Sequence, residues 1–116
     1  MEDDESIREL GARALRYRGY IVLPARHSAE ALNLAERYDK TIDLLLTDIV
    51  MPGLNGPQLA GRLRQARGHL KVLYTSGYTD DTAALREVQA AGADFMQKPY
   101  TPESLARKVR AVLQGA

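Results

Sequence analysis

Asp48 closes an uninterrupted run, Leu44-Leu45-Leu46-Thr47, and is followed by two chain breakers, Met51-Pro52-Gly53 and Asn55-Gly56. Four apolar or β-compatible residues in a row read as a strand covered on both faces, the kind found in parallel sheets. Such sheets place their chemistry at the C-terminal ends of their strands. An aspartate delivered there into a shaped loop can act as a nucleophile, a metal ligand or both. Two other strand-like runs end in polar residues, one at Ser76-Gly77 and one at Lys98-Pro99. An aspartate that attacks phosphorus needs a cation to offset the phosphoryl oxygens and a hydroxyl donor for one of them. Lys98 and Ser76 supply these. Mg²⁺ takes one or two carboxylates plus waters and a phosphoryl oxygen, and the acidic cluster Glu2-Asp3-Asp4 is the source of such ligands.

Helical and strand-like segments alternate along the rest of the chain, and no linker or low-complexity stretch divides them. Ile7, Leu10, Ala14 and Leu15 recur at helical spacing, with Ser6 as a cap and Gly19 as the stop. Ile21-Val22-Leu23 reads as a short strand before Pro24, and Ser28 opens a second helix with Ala31, Leu32 and Ala35 inside. A third helix follows Gly56 with Leu59, Leu63 and Ala66 on one side and Arg62, Arg64 and Arg67 on a solvated face. Val72 to Thr75 is a strand, Asp80 to Ala91 a helix stopped by Gly92, and Ala93 to Gln97 the last strand. Thr101-Pro102 starts a final helix with a cap followed by a first-turn proline. Alternation of this kind predicts an α/β fold, a doubly wound parallel sheet with right-handed crossovers.

The chain has 116 residues, so residues 1–116 are expected to form a single domain. A formal charge of +1 provides no basic stripe, which argues against direct contact with nucleic acid. No apolar run approaches the ~20 residues that span a bilayer, and zero cysteines fit a reducing, cytoplasmic location. His27 and His69 have no partner at ligand spacing and read as surface residues, while Tyr17 and Tyr20 are expected to pack the first helix onto the second strand.

Taken in order, the acidic cluster, the apolar strand to Asp48, Met51-Pro52-Gly53 with Gly56, then Ser76-Gly77 and Lys98-Pro99 resemble the receiver domain of two-component response regulators. The details Ser76-Gly77-Tyr78-Thr79 and Gln97-Lys98-Pro99-Tyr100-Thr101-Pro102 are similar to receivers carried by hybrid sensor histidine kinases. The resemblance implies a flavodoxin-like fold with Asp48 as phosphoacceptor, a signal-transducing phosphoprotein rather than a stand-alone enzyme. It implies Mg²⁺ held by Glu2, Asp3, Asp48 and the Val50 carbonyl, with Asp3 as a direct ligand. Ser76 and Gly77 stand for the family's switch pair, Lys98 and Pro99 for its Lys-Pro turn, and Phe95 for the aromatic that moves inward on activation. Pro52 and Gly56 belong to the loop beside the acceptor.

One departure carries physical weight. Receivers have four or five apolar residues ahead of the acidic pair, forming the central first strand of a sheet ordered 2-1-3-4-5, and here only Met1 precedes Glu2. At roughly 1.5 to 3 kcal/mol per buried aliphatic side chain, that loss is on the order of 6 to 15 kcal/mol. A whole domain is stabilised by about 5 to 15 kcal/mol. The expectation is therefore an N-terminally shortened receiver repaired as a four-stranded sheet, with Ile21–Leu23 moved beside the Asp48 strand, and as a homodimer through the exposed sheet edge or the last two helices. Weakened Mg²⁺ binding is expected with it. The expected function is acceptance of a phosphoryl group from a histidine kinase or histidine phosphotransfer protein, which switches an interaction face. A phosphorylation-incompetent interaction module is the alternative. An aspartyl-phosphate phosphohydrolase is a weaker one, since Val50 stands where its second aspartate would be.

Overall fold

The computed structural model describes residues 1–51, 53–77 and 83–115. Its elements run α1 (Glu5–Tyr17), α2 (Ser28–Arg37), β1 (Leu44–Asp48), α3 (Gly56–Ala66), β2 (Lys71–Ser76), α4 (Ala83–Ala90), β3 (Phe95–Gln97) and α5 (Pro102–Gln114). Among the described residues the sheet has three strands in the order β1-β2-β3, all parallel. Successive side chains of a strand face opposite layers, so Val72 and Tyr74 join one apolar cluster with Leu59 and Leu63 of α3 while Leu73 joins another with Leu15, Leu105 and Val109 of α1 and α5. Helices on both faces make the fold doubly wound and flavodoxin-like.

Local sequence accounts for the helix starts. Thr101 and Ser104 cap α5 reciprocally, Asn55 and Gln58 do the same for α3, and each helix has a proline in its first turn. Two caps differ from expectation. Asp4 accepts the Ile7 amide and starts α1, because it stands one position before the helix whereas Ser6 lies within it. His27 Nδ1 accepts the Glu30 amide and starts α2, which leaves Ser28 buried inside the first turn. The expected helix start at Asp80 lies outside the described residues. Tyr17 is 87 % exposed, whereas Tyr20 is half-buried against the α1/α5 cluster. The arginine face of α3 is also less solvated than its pattern suggests. Arg67 donates to the carbonyls of Ala35, Tyr38 and Lys40, closing off the end of α2 and the segment after it.

The fourth strand does not form. Ile21–Leu23 stays outside the sheet, with Ile21 77 % exposed and the Val22 carbonyl accepting from Arg16. Instead, Met1 and Glu2 bond to the outer side of β1 and to the Ala25 segment. The Met1 nitrogen donates to the Leu46 carbonyl, the Asp48 amide donates to the Met1 carbonyl at 3.3 Å, and the Glu2 amide donates to the Ala25 carbonyl at 3.0 Å. Two residues thus bridge β1 to the Ala25 segment and hold apart the edges that Ile21–Leu23 would have to join. Beyond Met1 the same slot opens as a cavity of about 440 Å³ lined by Leu15, Ile21, Leu23, Ala31, Leu44 and Leu46 among others.

Candidate functional site

The site is assembled at the C-terminal edge of the sheet by backbone that cannot slide. The Ile49 amide donates to the Thr75 carbonyl at 2.9 Å, and the Lys98 amide donates to the Ser76 carbonyl at 2.8 Å, so the ends of the three strands are tied in one row. Gly56 brings the loop after β1 back against that row, its amide donating to the Ile49 carbonyl at 2.8 Å. A Cβ there would lie 2.3 Å from the Asp48 carbonyl oxygen, so only glycine fits.

Asp48 is buried, and its Oδ1 receives two donors: the Lys98 ammonium at 2.8 Å and the Thr75 hydroxyl at 2.5 Å. Lys98 reaches Glu2 Oε1 at 2.5 Å as well, so one cation joins two carboxylates. Glu2 Oε2 accepts the Asp4 amide at 3.1 Å, and Arg8 donates to the Glu2 carbonyl, which fixes Glu2 in spite of the short N-terminal segment. Burial pushes the Glu2 carboxyl up to about 7; the neighbouring Asp48 carboxylate adds to the rise and the Lys98 ammonium opposes it. Burial alone would lower the Lys98 ammonium, but its bonds to Asp48 and Glu2 outweigh that and raise it. The Tyr100 phenol is pushed up to about 12, chiefly by burial and further by Glu2.

Glu2, Asp3 and Asp48 can each offer a carboxylate oxygen within 4.8 Å of the others, with Asp3 exposed to solvent and the other two buried. A set made only of oxygen donors fits a hard divalent cation, which would compete with Lys98 for the same oxygens. Val50 lies in the loop after β1 and is 41 % exposed. Ser76 is buried at the end of β2, and Gly77 follows it. Phe95 opens β3 opposite Tyr74 and is half-buried against the core on the α2/α3 face. Pro99 joins Lys98 through a cis peptide. Pro52 lies outside the described residues.

The structure therefore brings together Glu2, Asp3, Asp48 and Lys98, with Ser76 at the adjoining strand end. Thr75 carries no mark of the site in the sequence, where it reads as one more β-former in its run. Its signal lies in the register, because Thr75 pairs with Asp48 across β1 and β2, and paired residues project to the same face of a sheet.

Comparisons with known proteins agree with this geometry. A family model described as "Response regulator receiver domain" matches residues 1–110. The chain is 35 % identical over 114 residues to "Sensor kinase CckA" of Brucella abortus (strain 2308), covering 98 % of this chain and 12 % of that protein. It is 31 % identical to "Response regulator MprA" of Mycobacterium leprae (strain TN), covering 98 % of this chain and 49 % of the relative. The chain thus spans about an eighth of the one and about half of the other. Among solved structures, the receiver domain from hybrid histidine kinase CckA is similar with a TM-score of 0.78 and 37 % identity, covering 97 % of this chain and 94 % of that one. A CheY-like receiver domain protein from Methanospirillum hungatei JF-1 aligns with a TM-score of 0.81 at 28 % identity, covering 97 % and 88 %. With the family model spanning nearly all of it and the sheet-edge aspartate and lysine in contact, the chain belongs to the response regulator receiver domain family of two-component signalling systems.

Proposed function

We propose that Asp48 is the phosphoacceptor of a phosphorelay and that residues 1–116 act as one receiver domain. A carboxylate oxygen of Asp48 attacks the phosphorus of a phosphohistidine, the P–N bond breaks, and its electron pair leaves with the imidazole, which takes up a proton. Lys98 carries this reading: its ammonium already sits 2.8 Å from Asp48 Oδ1, within reach of the oxygens of an incoming phosphoryl group, whose negative charge it offsets. The Ser76 hydroxyl serves as donor to a phosphoryl oxygen. Glu2, Asp3 and Asp48, with the Val50 carbonyl, would hold Mg²⁺, which supplies charge neutralisation for the phosphoryl oxygens. Gly56 lets the loop after β1 close against the acceptor, and Gly77 leaves room beside Ser76. Pro99 aims Lys98, and Phe95 moves as the phosphoryl group draws Ser76 toward it, altering the face of α4, β3 and α5.

Receiver domains exchange phosphoryl groups with histidine kinases or histidine phosphotransfer proteins, and a partner of that class is proposed here, in the cytoplasm and without direct contact to nucleic acid. The part of the outer β1 edge that Met1 leaves uncovered, beside the apolar cavity, supports a second proposal, a homodimer formed through that edge. Sedimentation velocity over a concentration series tests it; a sedimentation coefficient that stays monomeric at every concentration contradicts it. A phosphohydrolase is disfavoured because exposed Val50 supplies no second carboxylate.

Incubation with acetyl phosphate and Mg²⁺ followed by intact mass tests the phosphoacceptor reading. One added phosphoryl group, absent from Asp48→Asn, is expected. A chain that never gains mass is an interaction module that does not use phosphorylation.

A further inference from the structure

Thr75 and Asp48 face each other across β1 and β2, and both are almost fully buried, 3 % and 5 % exposed. The Thr75 hydroxyl has one proton, and it is donated to Asp48 Oδ1 at 2.5 Å. Backbone bonds pin both ends of this contact, because the Asp48 amide donates to Met1 and the Thr75 carbonyl accepts from Ile49. A hydroxyl bonded to a carboxylate away from water is a strong, charge-assisted donor. Lys98 occupies the same oxygen. Oδ2 is left as the oxygen that carries neither donor.

We propose that Thr75 is a positioning residue for the phosphoacceptor, holding Asp48 Oδ1 so that Oδ2 attacks and shortening the life of the aspartyl phosphate that forms. The inference rests on the phosphoacceptor reading of Asp48. During transfer the Oδ2–P bond forms, the P–N bond of the donor breaks, and Oδ1 becomes the carbonyl oxygen of an acyl phosphate. The Thr75 hydroxyl then donates to a neutral acceptor, and its bond weakens. During hydrolysis water attacks phosphorus, the Oδ2–P bond breaks with its electron pair returning to the carboxylate, and the proton released goes to bulk water. Charge comes back to Oδ1 in that step, so a donor held there stabilises the leaving carboxylate more than the acyl phosphate. Removing the hydroxyl therefore slows loss of the phosphoryl group.

Phosphorylated wild-type chain, Thr75→Val, Thr75→Ala and Thr75→Ser are freed of small-molecule donor, and the decay of the adduct is followed by intact mass, with circular dichroism as the check of folding. The two variants without the hydroxyl are expected to hold the phosphoryl group about five-fold longer, and Thr75→Ser to decay like wild type. Equal half-lives for wild type and a folded hydroxyl-free variant overturn the inference. A purely structural role would lower the unfolding temperature without lengthening the half-life. If the wild type takes up no phosphoryl group, the phosphoacceptor reading fails, and the Thr75 contact is judged separately by NMR. A slowly exchanging hydroxyl proton from Thr75, lost in Asp48→Ala, upholds the bond; its absence from the wild type overturns it.

Discussion

The Lys98 ammonium rests 2.8 Å from Asp48 Oδ1 and, through the same nitrogen, 2.5 Å from Glu2 Oε1, so the lysine that follows β3 joins the carboxylate at the end of β1 to that of the N-terminal segment. Its side chain is only 17 % exposed. Lys98→Met leaves two buried carboxylates facing each other without a cation, and uncompensated buried charge costs several kcal/mol. In the presence of a chelator the variant is expected to lose about 2–4 kcal/mol at pH 8 by urea unfolding, and less at pH 5, where Glu2 holds a proton. Equal stability of variant and wild type at pH 8 contradicts the pairing.

Glu2 predicts a pH dependence of opposite sign to that of most carboxylates. Its folded-state carboxyl titrates at about 7 against an ordinary 4.5, so the folded chain binds this proton more tightly than the unfolded one. The contribution is fully present below about pH 4.5 and is lost as pH rises through about 7. At about 1.36 kcal/mol per pH unit it is on the order of 3 kcal/mol. The buried Met1 ammonium, lowered to about 6, acts in the opposite direction in this window, so the decline is read as a difference: between pH 5 and 8 the stability of the chelator-treated chain should fall relative to that of Glu2→Gln in chemical unfolding. A decline of the same size in Glu2→Gln assigns it to another group.

Gly56→Ala drives a Cβ to within 2.3 Å of the Asp48 carbonyl oxygen, and backbone offers no rotamer by which to yield. A loss of at least about 2 kcal/mol in unfolding free energy is expected, together with slower phosphorylation because the strain falls on the acceptor itself. A variant as stable as wild type shows that the loop can retreat from Asp48.

Filling the cavity beside β1 should stabilise the chain. Ala25 lines it, is 3 % exposed and lies outside every helix and strand, so a larger side chain there disturbs no regular element. Ala25→Val is expected to raise stability by about 1 kcal/mol, read as a higher unfolding temperature. A lower one means that the added methyls meet the wall and not the void.

Asp48, Gly56 and Lys98 were legible in the sequence because strand ends in a parallel sheet are marked by turn chemistry, and that chemistry fixes which edge they share. Helix starts among the described residues were legible to within two residues, and where they shifted the reason is the competition of neighbouring caps, Asp4 against Ser6 and His27 against Ser28. The fate of Ile21–Leu23 was not legible. It depends on the bonds Met1 and Glu2 make to both flanking segments, which no periodicity encodes. Thr75 was hidden for a related reason: its role comes from pairing register, whereas its residue type speaks only of strand propensity.

If Asp48 itself carries the phosphoryl group, the acyl phosphate it forms can be trapped at that residue. Borohydride reduction of the phosphorylated chain converts an aspartyl phosphate to homoserine, and peptide mass mapping then locates the reduced residue. Homoserine is expected at position 48 and nowhere else, dependent on Mg²⁺ and lost in Lys98→Met. Homoserine at another aspartate, or none in a chain that has gained a phosphoryl group, would contradict it.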